Sequence, residues 1–369
     1  MTTDVQTPAL RVLVVSQYGR QATGGAERYI HEVCGRLHSR HGFNVIQAAT
    51  DMNEAGGLSP VRYPLWSAGL NPSWGRELRA LIAAELPNVM YVHHTVPGVT
   101  DVALRVARQL RLPAEVMYHS DVTGMDLPRR VVGCVYQRLV GAGSLAAARA
   151  IHVASQAYLN ASPVLRGAGR PVVEAPPGVD GQMSSGAPQP HAPFLLFVGK
   201  ADVPSKGFAV LLEAWRRLRQ QRPELELVMI GSGTAVGDLP GLHWVGPVES
   251  RSELANWYAS ALVTVLPSTS SAESFGMVLA EALVAGSPVV ASRIGGLPAL
   301  VSEGQTGYLA EPGNARSLEQ ALGLALTHNA RLRATVASQR GHLTRRFSWD
   351  RTAEIVAASL ATTPHVAQA

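Results

Sequence analysis

The chain has 369 residues, 46% hydrophobic and 16% charged, with a net charge of +5. It can bury large cores and is too long for one ordinary domain, so two domains are expected. No apolar run reaches the roughly 18 residues needed to span a bilayer, and the N-terminus lacks a basic-then-apolar secretory signal. A cytoplasmic protein is therefore expected, with peripheral attachment at the inner membrane face left open.

Cys34 and Cys134 match no CxxC or zinc spacing, so both read as small buried residues rather than as a disulfide or metal site. Arginines outnumber acids over residues 1–180, which suits an anionic partner. No basic run interleaved with aromatics and no zinc-finger pattern points to nucleic acid. Of the 32 Lys and Arg residues only Lys200 and Lys206 are lysine. Two lysines six residues apart, in a chain that otherwise uses arginine, suggest a need for compact, strongly hydrated point charges.

Val12 to Ser16 is a continuous apolar run suited to a buried parallel strand, and it leads through QYGRQATGG into a helix. Ala26, Tyr29, Ile30, Val33, Cys34 and Leu37 fall on one face of that helix, and Gly42 closes it. With the strand Asn44 to Ala49, the first fifty residues read as a βαβ unit. Gly24 and Gly25 sit at the turn into the helix, where N–H groups face any anion, although a glycine pair alone also fits a plain loop.

Further strands are expected at Val89 to His93, Ala114 to His119, Ile151 to Ala154 and Val172 to Glu174. Ligands of open α/β sheets bind outside the carboxyl ends of strands, which places His93, His94, His119 and Asp121 where chemistry would occur. Any one of these histidines could instead be structural. Next come APPGVD at 175–180 and GQMSSGAPQPHAP, an aperiodic Gly/Ser/Pro stretch that reads as a linker.

A second α/β domain opens with the strand Phe194 to Val198, followed by GKADVPSKG and a helix carrying Leu211, Leu212, Trp215 and Leu218. Lys200 and Lys206 thus lie between a strand end and a helix start, where fixed cations could neutralise a departing diphosphate. Leu225 to Ile230 leads into GSGTAVG, whose spacing is GxGxxxG and which has no acidic residue about twenty positions on. That weakens a nicotinamide reading. His243 to Gly246, Val263 to Leu266 and Val289 to Ala291 complete the expected sheet.

Residues 268–300 read STSSAESFGMVLAEALVAGSPVVASRIGGLPAL. Met277, Leu279, Ala280, Leu283 and Val284 fit helical spacing, Gly286 and Pro288 close the helix, and its start is expected near Ser270 to Phe275. Such a start is an anion site, and Gly276 would let a ligand approach the main chain. Glu273 and Glu281 would then lie about 12 Å apart along one helix, matching the span from a hexose to a ribose across a diphosphate. The alternative is a Ser270–Glu273 capping box with Glu281 solvated on the outer face.

The two glutamates, the FG pair, the GSPVVAS strand and the GG turn, in that order, closely resemble the donor-site signature of glycosyltransferase family four. The resemblance implies an α/β, GT-B type fold: two Rossmann-like domains with parallel sheets facing an interdomain cleft. It divides the chain into residues 1–180 (acceptor side), 181–345 (donor side) and a helix at 346–369 that crosses back to the first domain. It implies a retaining, metal-independent transfer of sugar from a nucleotide-diphosphate sugar to a hydroxyl acceptor of unknown identity. That sugar is a substrate, and no cofactor or metal is implied.

By the same resemblance, His119, Lys206 and Glu273 carry the chemistry. Gly24 and Gly25 approach the phosphates, with Lys200 and Lys206 neutralising them. Gly231 and Val248 flank the nucleotide. Ser274, Phe275, Gly276 and Met277 form the anion-binding turn, and Glu281 takes the ribose. His93, His94 and Asp121 belong to the acceptor side. Three positions depart from the pattern: Pro177 replaces Asn, Lys200 replaces Arg, and Ala299 replaces Glu after GGLP. A non-catalytic nucleotide-sugar sensor and a nicotinamide-dependent oxidoreductase are the alternatives, and oligomeric state is left open.

Overall fold

The structure is a computed structural model that describes residues 9–17, 24–49, 73–95, 98–121, 131, 133, 135–189, 191–233 and 239–362. The chain forms two compact units. One contains Met1–Ala154, Pro163–Ala175 and Thr352–Ala369; the other contains Ser155–Ser162 and Pro176–Arg351.

The first unit is built on six parallel strands: β1 (Arg11–Ser16), β2 (Asn44–Ala49), β3 (Val89–His94), β4 (Ala114–Tyr118), β5 (Ala150–Val153) and β6 (Val172–Glu174), in the order β2-β1-β3-β4-β5-β6. The second has β7 (Phe194–Val198), β8 (Glu226–Ile230), β9 (Leu242–Gly246), β10 (Val263–Leu266), β11 (Val289–Ser292) and β12 (Gly307–Ala310), in the order β12-β11-β10-β7-β8-β9. Continuous runs such as FLLF of β7 and VVAS of β11 are buried along their length. Strands covered by helices on both faces require this. Counted from β7, the second order is that of a doubly wound nucleotide-binding sheet, whose switch point falls between its first and fourth strands, here β7 and β10.

Eleven of these strands match the sequence expectation to within about one residue, inside the usual uncertainty of element ends. β12 is the addition. It is four residues long and half of its side chains are only partly buried, too short a run to carry a periodic signal.

Helix α1 (Gly25–His41) buries Tyr29, Ile30, Val33, Cys34 and Leu37 and stops at Gly42, whose φ of 68° is left-handed. The first unit also contains α2 (Trp74–Glu85) and α3 (Val99–Gln109). In the second unit, α4 (Phe208–Arg219) buries Leu211, Leu212, Trp215 and Leu218, and the Trp215 indole donates to the Leu225 carbonyl at 3.0 Å. It is followed by α5 (Arg251–Ser260), α6 (Met277–Ala285), α7 (Ala315–Thr327) and α8 (Asn329–Arg346).

The final helix, α9 (Trp349–Ala361), begins in the second unit, and its remainder belongs to the first. There the Ser359 hydroxyl donates to buried Glu115 on β4 at 2.7 Å, and Arg149 donates to Thr362. The stretch GQMSSGAPQPHAP, read as a linker, is tied down over most of its described length. Met183 is fully buried, the Ala187 N–H donates to Asn256 and the Gln189 N–H to Ser260. Apart from Met183, backbone N–H groups rather than an apolar face hold it to α5, so its sequence carries no period.

Candidate functional site

In the second unit the loops after β7 and β10 flank the switch point. Lys206 ends a single 3-10 turn, Pro204–Lys206, and the next residue, Gly207, has φ of 73° and lies so close to the Pro267 carbonyl that a Cβ would collide with it. Thr269 fastens the two loops from the other side, its N–H donating to the Ser205 carbonyl at 2.8 Å. The Lys206 ammonium then reaches the Glu273 carboxylate at 2.7 Å, and the Ser268 hydroxyl donates to the same oxygen at 3.1 Å. Two of the residues expected to do chemistry therefore meet as an ion pair. Lys200 is exposed, and no hydrogen bond or ion pair engages its ammonium among the described residues.

The signature helix differs from its expected start. It spans Met277–Ala285, with Gly276 at φ 85° as its N-cap. Residues 270–275 instead form a turn closed by Ser270, whose hydroxyl accepts the Ala272 N–H and whose carbonyl accepts that of Glu273. Glu273 is thus not helical, the 12 Å helix-axis spacing to Glu281 does not apply, and Ser270 and Glu273 form no helix capping box. Gly295 and Gly296 explain the position of the turn. A Cβ at either would run into the carbonyl of Glu273 or Ser274, and the Gly296 N–H donates to the Glu273 carbonyl at 2.8 Å. The GG pair holds the turn by close backbone approach.

No protein acceptor takes the N–H groups of Ser274, Phe275, Gly276, Met277 or Val278 among the described residues. Unspent donors at a helix start are suited to an anion. Phe275 contributes only its backbone there, because its ring is buried edge-on against Phe347 with centroids 5.8 Å apart. Ser274 and Met277 are half-buried beside it.

Glu281 is not on a solvated face. It is 5% exposed in a helix buried on every side from Leu279 to Ala285, and the Tyr258 hydroxyl donates to it at 3.1 Å. The all-apolar surroundings hid this, since helical spacing gave Glu281 no side of its own. A carboxylate in such a place costs free energy unless polar partners meet it. Tyr258 is a partner that the sequence reading missed. We predict that Tyr258→Phe, which removes one hydrogen bond to a charged group, lowers stability by about 1.5–3 kcal/mol in urea melts. An unchanged midpoint would contradict the assignment.

At the neighbouring strand ends, Gly231 has φ of 130° and abuts the Gly199 carbonyl, where any side chain would collide; Val248 is half-buried just after β9. Residues 234–237 of GSGTAVG, and the residue that follows them, lie outside the described residues. Ala299 sits in a 3-10 turn, Leu297–Leu300, and its carbonyl accepts from Arg346 at 3.5 Å.

In the first unit, Gly24 caps α1 and Gly25 begins it, both exposed; residues 18–23 of the preceding loop, like Cys134, lie outside the described residues. The histidines separate into two environments. His93 and His94 are adjacent on β3 and so face opposite sides of the sheet. His93 Nδ1 lies 2.9 Å from His119 Nε2, and the two rings stack at 5.2 Å with Tyr29 edge-on to both. His94 turns away, stacking on Tyr118 at 4.7 Å with Nδ1 3.1 Å from the Thr100 hydroxyl. Asp121 is buried and accepts from the Tyr118 hydroxyl at 2.7 Å.

His93 Nε2 is buried with no hydrogen-bond partner among the described residues. An unmatched lone pair is tolerated there more readily than an unmatched N–H. On this ground we assign His93 the Nδ1–H tautomer, so that it donates to His119 Nε2 and the His119 proton lies on Nδ1.

Burial holds all three histidines neutral at pH 7: His94 falls to about 4, His119 to about 3, with His94 adding to that shift, and His93 well below its ordinary 6.5. Unfolding releases rings that take a proton near pH 6.5, whereas the folded rings stay neutral down to about 4, so in that window the unfolded state binds more protons. Stability is present above pH 6.5 and is lost as pH falls. Each histidine adds a slope of about 1.4 kcal/mol per pH unit. We predict that urea melts between pH 7 and pH 5 show this loss and that His94→Asn removes about a third of it; a flat profile would rule it out.

The model "Glycosyltransferase Family 4" matches residues 23–183 and "Glycosyl transferases group 1" matches residues 192–328, together more than half of the chain. The chain belongs to glycosyltransferase family four. A phosphatidyl-myo-inositol mannosyltransferase of Propionibacterium freudenreichii is 27% identical over 344 residues, 88% of each chain. Among solved structures, sucrose-phosphate synthase from Thermosynechococcus elongatus superposes with a TM-score of 0.72 at 21% identity, covering 95% of this chain and 98% of that one. HepE of Anabaena in complex with UDP-glucose gives 0.66 at 17% identity, covering 96% and 100%. The fold of this glycosyltransferase is GT-B, and no described helix is long and apolar enough to cross a membrane.

Proposed function

We propose that this glycosyltransferase takes its sugar from a nucleotide-diphosphate sugar held by the second unit, without a metal and with retention of anomeric configuration. The observation that carries the reading is the Lys206–Glu273 ion pair beside the unspent N–H groups at 274–278, at the switch point of the sheet. In this proposal the N–H groups and Lys206 receive the diphosphate, and exposed Lys200 adds a second charge. Glu273 has its Oε2 occupied by Lys206 and Ser268, which orients the carboxylate so that its other oxygen can accept a sugar hydroxyl. Glu281 takes the ribose.

As the bond from the sugar carbon to the phosphate oxygen breaks, negative charge grows on the diphosphate, and fixed donors stabilise it with little reorganisation. The departing oxygen takes the proton of the acceptor hydroxyl, and that hydroxyl forms its new bond on the face the phosphate leaves. Retention follows without a protein nucleophile. Neutral His119 donates to the donor sugar through Nδ1–H, and His93 sets that tautomer. Asp121 belongs to the acceptor side. Glu281→Ala should weaken even the bare nucleoside diphosphate, by about 1.5–3 kcal/mol, whereas Glu273→Ala should spare it.

The name of the mannosyltransferase relative supports a hexosyl donor and a polyol hydroxyl as acceptor. The test is transfer in excess chelator, with the product anomer read by proton NMR. Product with the donor's configuration is expected. An inverted product, or turnover that needs an added divalent ion, would overturn the proposal.

A further inference from the structure

Among the described residues the large exposed hydrophobic side chains are not evenly spread: Val131, Val135, Leu139 and Val140 fall within ten positions of the first unit, at 56%, 50%, 77% and 39% exposure. The first three recur at i, i+4 and i+8, one stripe of the helical stretch that ends in a π turn, Gln137–Gly141. The opposite side is held to the protein. The Tyr136 hydroxyl donates to the Asp101 carboxylate on α3 at 2.9 Å, and buried Gly141 sits against Val164. A face presented by an anchored helix is not an accident of a frayed end.

Charge decides what could cover it. From Leu127 to Val173 the sequence has no Asp or Glu, and it carries Arg129, Arg130, Arg138, Arg149, Arg166 and Arg170. Arg149 is committed to Glu115, but Arg166 is exposed on the short helix Pro163–Gly167, whose Val164 packs beside the π turn. An apolar stripe carried by a stretch of sequence that has arginines and no acids, with exposed Arg166 nearby, fits a partner that is apolar inside and anionic outside. We infer that this face docks on the surface of an anionic lipid bilayer, with Val131, Val135 and Leu139 entering the headgroup–acyl boundary. The inference does not depend on the donor proposed above.

The test is co-sedimentation of the full chain with vesicles of phosphatidylcholine alone or with about one-third phosphatidylglycerol. Binding to the anionic vesicles is expected, weakened by about 0.5 M salt. Leu139→Asp and the milder Leu139→Ser should lower the partition constant, the aspartate about tenfold, because a charge replaces the deepest apolar contact. Arg166→Ala should lower it about fivefold. Leu324→Asp, at an exposed apolar position of α7 in the other unit, should leave it unchanged. Unaltered melting of the Leu139 variants is expected, since that side chain is mostly in water. Equal binding to both vesicle types, or equal binding by Leu139→Asp and the parent, overturns the inference. So does a dimer in sedimentation velocity that Leu139→Asp dissolves while vesicles bind neither form; the occupant is then a second copy.

Discussion

We expect Lys206→Ala to lower kcat by about a hundredfold or more, the loss typical of removing one preorganised donor at a developing oxyanion, and also to weaken the bare nucleoside diphosphate. The variant should fold, because Lys206 is part-exposed, its side chain 36% accessible, and its loss opens no core cavity. The ion pair creates a rival reading, in which Lys206 merely neutralises Glu273. Comparing the two variants separates them. If the pair is only structural, Lys206→Ala and Glu273→Ala have the same effect on nucleoside diphosphate affinity. If Lys206 faces the diphosphate, Lys206→Ala weakens it and Glu273→Ala does not. Activity and affinity both within about threefold of the parent, under roughly 0.7 kcal/mol, would remove Lys206 from the phosphate site.

His119→Ala should reduce kcat by about a hundredfold or more, with nucleotide affinity nearly unchanged. The ring is neutral at pH 7, so its contribution is a directed hydrogen bond rather than a positive charge. Such a bond lowers the barrier only if it strengthens as charge develops on the sugar, which is why the loss belongs in kcat. His93 gives an independent check. His93→Phe keeps much of the ring packing but removes the donor to His119 Nε2, freeing His119 to change tautomer. It should cost less than His119→Ala while following the same direction. Full turnover in His119→Ala, or a loss explained entirely by a lower melting temperature, would make the histidine structural.

Both six-stranded sheets were legible to the extent that their strands are continuous apolar runs bounded by glycine, proline or polar loops. β12 was not, because GYLA is too short to have a period. The start of α6 was misjudged because residues 270–275 have composition compatible with a helix, and only the contact between Gly295–Gly296 and the carbonyls of Glu273 and Ser274 fixes them as a turn. That contact joins segments about 22 positions apart. The candidate site was legible only as residue types: two isolated lysines, two glutamates and histidines at strand ends.

Their pairing was not legible. Lys206 meets Glu273 across 67 positions, and Tyr258 meets Glu281 across 23, distances that no local pattern spans. His93 and His94 looked like one pair, but strand alternation sends one ring to His119 and the other to Thr100. The spacing of two adjacent residues on a strand should itself have divided them.

The most direct measurement is calorimetric titration of the parent chain and Lys206→Ala with UDP-, GDP-, ADP- and dTDP-sugars and with NADH. The account predicts that one class of nucleotide sugar binds the parent, that NADH does not, and that Lys206→Ala binds the same donor about tenfold or more weakly. Donor affinity unchanged by the substitution, or a parent chain that takes NADH in preference to every nucleotide sugar, would contradict it.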